Sequence, residues 1–173
     1  MTETRSPKAE KQSFRKTAAL RYGPVLFLCL FSFSVVFADK EAPPEFVVKS
    51  GYSFGRCMMG YCDVELVIEG RKIVFSKSSR LSDFRYPPVQ ITRYLSAAEY
   101  RMLKNILEAT EFSSAEERYG CPDCYGQGKE WLEVTTSRRE RQIEMDYNAT
   151  PVPVESLLIF LRKLRDQIDE GNR

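Results

Sequence analysis

The side chains best equipped for chemistry are four cysteines in two short segments. RCMMGYC supplies Cys57 and Cys62, and GCPDC supplies Cys121 and Cys124. Thiols so spaced serve three ends: an exchangeable redox pair, half of a thiolate metal site, or a structural disulfide. A redox Cys-x-x-Cys needs a thiolate, which a helix N-terminus or a nearby cation favours. Here the polar stretch SSAEERYG precedes Cys121, and a Gly-rich loop and a strand pattern follow it. Glu116, Glu117 and Asp123 outweigh Arg118 nearby, and negative charge disfavours a thiolate. A thiol oxidoreductase built on Cys121 is therefore the third reading. Zinc ligation by Cys57, Cys62, Cys121 and Cys124 is the second. CPDCYG resembles a zinc knuckle, but CMMGYC spaces its thiols more widely than a zinc ribbon does. Met58 and Met59 add soft sulfur and raise Cu(I), yet adjacent methionines in a chain with no histidine fit packing better.

Structural disulfides are the favoured reading, with no cofactor implied. Four cysteines allow three connectivities. A bond between the two segments closes the longer loop and contributes about 4 kcal/mol, against about 2 kcal/mol for each local bond. Local bonds form first, and proximity favours Cys57 with Cys62 and Cys121 with Cys124.

The chain has no histidine. That removes Ser-His-Asp and Cys-His catalysis, His-ligated catalytic zinc and imidazole acid–base work. No catalytic constellation is recognisable, and the expectation is a non-enzymatic protein. Asp123, Glu130 and Glu133 lie close in sequence, and paired carboxylates can do acid–base work. Surface solvation explains them more simply. Trp131 is the one tryptophan. It alternates away from Leu132 and Val134, as an exposed binding anchor or as cover for the cysteine loop. Trp131, Asp123, Met58 and Met59 are the candidate binding residues.

The positions of these residues depend on where the chain goes. Residues 1–38 combine a basic stretch with the uncharged run Pro24–Ala38. About 15 apolar residues are too few to span a bilayer as a helix. They read as a secretory signal peptide cleaved after Ala38, or else as an uncleaved anchor. Six of the 26 basic residues and two of the 24 acidic ones fall there, so the remainder is acidic by two. No cationic footprint for nucleic acid remains, and membrane contact is expected only through an uncleaved signal. The destination is the periplasm, cell envelope or extracellular space, where disulfides persist.

Residues 39–45 read as a flexible lead-in, and 46–170 as one domain. EFVVKSGYSF is a strand pattern. CDVELVIEGRKIVFSK and KEWLEVTTSRRERQIEMDYN are hairpin patterns, with turns expected at Glu69-Gly70 and within TSRRERQ. SSRLSDFRYPP reads as a loop. Ser96 and Glu99 form a capping box ahead of an apolar stripe of Tyr100, Leu103, Ile106 and Leu107. Leu157, Leu161, Leu164 and Ile168 form the stripe of a second helix. The expectation is an α+β fold: an antiparallel sheet of four to five strands, made of two hairpins, with two helices packed on one face.

The segments GYSFGRCMMGYC, GCPDC and EWLEV resemble a family of exported bacterial proteins with paired-cysteine segments and no assigned activity. The resemblance spans about Gly51 to the last helix. It implies an exported α+β domain and brings no catalytic residues with it. The expected partner is a protein or another component of the envelope.

Overall fold

The computed structural model describes residues 44–80 and 85–172. The signal segment 1–38 and residues 39–43 of the lead-in lie outside the described residues.

β1 (Phe46–Ser53) is the central strand. It pairs antiparallel with β2 (Asp63–Glu69) on one side and β6 (Lys129–Thr136) on the other. Alternation explains its place. Phe46, Val48 and Ser50 are buried on one face, and the partners in register carry Ile68 and Leu66 from β2 and Val134 and Leu132 from β6. β3 (Lys72–Ser78) returns from β2 through a two-residue turn, Gly70 and Arg71, with Gly70 at φ +57°. Glu69 is still paired with Lys72, so the turn falls one residue later than its sequence suggests. β7 (Glu140–Asp146) returns from β6 through the exposed Ser137–Arg138–Arg139 turn.

The sheet has seven strands in the order β4-β3-β2-β1-β6-β7-β5 and is mixed, not antiparallel throughout. Two strands account for the difference from expectation. β4 (Val89–Tyr94) follows Pro87 and Pro88 directly. Prolines bar regular pairing only at their own positions, and β4 pairs with β3 along its length. β5 (Arg118–Tyr119) has two residues and runs parallel to β7. Two residues are too few to show any hydrophobic period.

α1 (Ala97–Ala109) begins at the expected capping box. The Glu99 N–H donates to Ser96 Oγ, and the Ser96 N–H donates to the Glu99 carboxylate. α2 (Glu155–Glu170) follows a short 3-10 turn at Val152–Val154. Leu103 and Leu107 of α1 and Leu157, Leu158, Leu161, Leu164 and Ile168 of α2 share one core with the buried strand residues. The opposite face of the sheet carries half-exposed, mostly polar side chains, as a one-sided sheet does.

Trp131 sits on that polar face. Its indole lies over Gly51, which faces it in register across the β1–β6 pair. A Cβ at Gly51 would stand 2.4 Å from the ring and 2.4 Å from the Val64 carbonyl oxygen. The carbonyl is backbone and cannot swing aside. Gly51→Ala is therefore expected to destabilise the domain by about 1–3 kcal/mol, measured by urea unfolding. A neutral result would mean that the tryptophan does not cover this strand.

Candidate functional site

All seven strands have an end at one end of the sheet: β1, β3, β5 and β7 finish there, and β2, β4 and β6 begin there. Two loops project from it, 54–62 between β1 and β2, and 120–128 ahead of β6. Each is closed by its own disulfide. Cys57 bonds Cys62 with Cα atoms 5.6 Å apart, and Cys121 bonds Cys124 with Cα atoms 5.4 Å apart. The expected local connectivity is the one present. Among the described residues, no three Cys, Asp or Glu side chains gather as metal ligands. Cys121 is exposed, and the chain after it makes a three-residue 3-10 turn, Cys124–Gly126, rather than starting an α-helix.

The two loops do not share a disulfide, yet they are fastened together. The Gly55 N–H donates to Asp123 Oδ1 at 2.9 Å. Gly55 permits this approach, because a Cβ there would stand 2.2 Å from the same carboxylate. Asp123 was a candidate binding residue; its carboxylate is engaged inside the protein. A second carboxylate, Asp146 at the end of β7, accepts from the Cys121 N–H at 2.9 Å. The bases of the loops close by main-chain bonds, Phe54 N–H to the Cys62 carbonyl and Asp123 N–H to the Gly128 carbonyl. Phe54 packs edge-on against Tyr52 and Tyr147, with ring centroids 5.7 and 4.7 Å away.

Beneath the loops lies a buried ion cluster. Glu130 is fully buried on the core face of β6. Arg162 of α2 grips it with Nε 3.1 Å from both carboxylate oxygens and Nη2 2.6 Å from one. Arg165, 5% exposed, bonds the other side of the carboxylate. Its remaining Nη1 donates to Ser50 Oγ at 3.3 Å, and its guanidinium stands 5.4 Å from the centre of the Tyr52 ring. Burial holds the Tyr52 phenol above its usual pKa, Tyr147 adds to this, and Arg165 partly opposes it. Arg162 also donates to Thr150 Oγ1 and to the Ala149 carbonyl, which ties down the β7–α2 connection. The surface-carboxylate reading of Glu130 is thus corrected. The signal was present: Glu130 shares the period-two face of Leu132 and Val134. Arg165 falls inside the arc of Leu158, Leu161 and Ile168 on the second helix.

The candidate binding residues separate into two groups. Met58 and Met59 stand at the tip of the first loop, 78% and 72% exposed. Tyr125, which residue spacing did not single out, stands at the tip of the second and is 86% exposed. Trp131 belongs elsewhere: it lies on the polar face of the sheet and not over a cysteine loop. Beside it the Glu144 carboxyl is held below its usual pKa by the hydrogen bond from Lys129.

What the fold and site define is a class, an α+β domain with two disulfide-closed loops fastened at one end of its sheet. No protein-family model matches the chain, and no curated protein matches it.

Substitutions at the ion cluster and at Asp123 test the geometry. Glu130→Leu leaves Arg165 buried beside no counter-charge and is expected to cost about 3–5 kcal/mol in urea unfolding. Adding Arg162→Met and Arg165→Met should recover most of that loss, because a packed apolar group replaces a satisfied ion cluster at little cost. A loss below about 1 kcal/mol for Glu130→Leu alone would show that the carboxylate is not the partner of both arginines. Asp123→Ala should speed amide exchange at Gly55 and leave exchange in α1 unchanged. Unchanged exchange at Gly55 would contradict the cross-loop bond.

Proposed function

We propose that this is an exported, disulfide-stabilised, non-enzymatic binding domain of the cell envelope or extracellular space. Its contact surface is the pair of loop tips carrying Met58, Met59 and Tyr125. The observation that carries the reading is Tyr125. It is the most exposed large apolar side chain among the described residues, and its backbone is left-handed at φ +60°. A tyrosine there costs roughly 1 kcal/mol relative to the preferred backbone. Its side chain has no part in the ring pairs that pack Tyr52, Phe54 and Tyr147. Strain without a packing return fits a residue kept for contact with something outside the chain.

The physical case for binding is preorganisation. Met58 and Met59 lie inside the ring closed by Cys57–Cys62, Tyr125 directly follows the Cys121–Cys124 ring, and the loops are held to each other through Asp123 and Gly55. Loops already fixed lose little conformational entropy when they bind. A tyrosine and two methionines offer an amphipathic ring and adaptable thioethers, which suit an apolar pocket on a protein partner.

Two measurements test this. Tyr125→Gly removes the strained side chain, so it should raise stability by about 1 kcal/mol while weakening partner contact. Lower stability instead would give Tyr125 a structural role. A photo-crosslinking residue placed at 58 or 125 in the exported chain should trap a discrete protein adduct. The same residue at 163, exposed on α2, should not. Equal trapping at all three positions, or none at the tips, would overturn the proposal.

A further inference from the structure

β4 ends the sheet on one side, and among the described residues no strand pairs with its outer edge. Leu95 N–H donates to the Arg71 carbonyl at 2.7 Å, across the Lys72–Tyr94 pair. That bond makes Lys72–Tyr94 a pair whose own amide groups point away from each other. Alternation then turns the N–H and C=O groups of Gln90, Thr92 and Tyr94 away from β3. All three residues are exposed, Tyr94 by 68%.

Edge strands are usually guarded by charge, bulges, prolines or brevity. On the opposite side β5 covers only Glu144 and Met145 of β7, and the stretch of β7 left uncovered carries the charges of Glu140 and Arg141. β4 has six residues, and none of its three outward-bonding residues is charged. Pro87 and Pro88 stand before the strand and shield only its start.

We propose that β4 pairs with β4 of a second copy, antiparallel about a two-fold axis at Thr92. The edge is self-complementary in that register. Thr92 faces Thr92, and Gln90 faces Tyr94 of the second copy, with no like charges opposed. The three residues on each copy exchange both amide groups, which gives six main-chain hydrogen bonds and one continuous sheet. A foreign strand would find no charge on this edge to select it, whereas a second copy meets its own pattern in the isologous arrangement that two-fold symmetry requires. This inference is independent of the loop-tip reading.

The test is sedimentation of the full-length chain, purified without reductant, over a concentration series. The wild type is expected to be a reversible dimer. Thr92→Pro removes an N–H that faces away from β3, so the monomer should fold. Its dimer loses two central hydrogen bonds, and the dissociation constant should rise about tenfold or more. Thr92→Lys and Thr92→Glu provide the register test. Each alone should dimerise less than wild type, and an equal mixture should form the mixed dimer in preference to either homodimer. A wild type that stays monomeric throughout would overturn the proposal. So would a dimer indifferent to Thr92→Pro, or a mixture without preference. Should Thr92→Pro fail to fold, the Lys and Glu mixture decides. A monomer that instead captures an added extended peptide along β4 would also overturn the pairing with itself.

Discussion

The arrangement rests on one buried carboxylate. Glu130 lies where β6 begins, directly after the second cysteine loop, and it has no access to solvent. A lone carboxylate there would be prohibitive. Arg162 and Arg165 from α2 balance it, and their spare donors reach Ser50, Thr150 and the Ala149 carbonyl. One ion cluster therefore fixes helix, central strand and the β7–α2 connection against each other. Such a cluster adds little net stability compared with a packed apolar core. What it supplies is position: the strand start from which the second loop departs has one place relative to α2.

The loops inherit that position. Asp123 and Asp146 convert it into loop geometry, each carboxylate taking a main-chain N–H, one from Gly55 and one from Cys121. The disulfides then fix each loop internally. The result is a pair of fastened loops whose exposed large apolar side chains are Met58, Met59 and Tyr125, next to the ring cluster of Tyr52, Phe54 and Tyr147. Exposed apolar groups on rigid loops are a usual basis for recognition, because the scaffold has already met the cost of ordering them.

Much of the scaffold was legible in the sequence. Apolar runs marked β1 and β3, period-two alternation marked β2, β6 and β7, and the Ser96–Glu99 pair marked the start of α1. Proximity favoured the two local disulfides. β4 was obscured because Pro87 and Pro88 draw attention to a loop and its solvent-side residues are polar. β5 was too short for any period. The parallel β5–β7 pairing depends on where a distant segment lands, which local pattern does not encode. The site was less legible than the fold. Glu130 and Arg165 sat at apolar positions in their patterns, but a charge invites a surface reading unless its partner is known. The partners are 35 residues apart in sequence. Asp123 looked like a contact residue because the N–H that occupies it belongs to Gly55, 68 residues away.

The two disulfides and the Asp123–Gly55 bond should hold the loop tips as a single fixed platform rather than as two mobile loops. Backbone nitrogen-15 relaxation at residues 55–60 and 121–127 tests it most directly. Order parameters near those of the flanking strands, about 0.85, are expected, falling in both loops when the disulfides are reduced. Values below about 0.6 in the oxidised protein would contradict it.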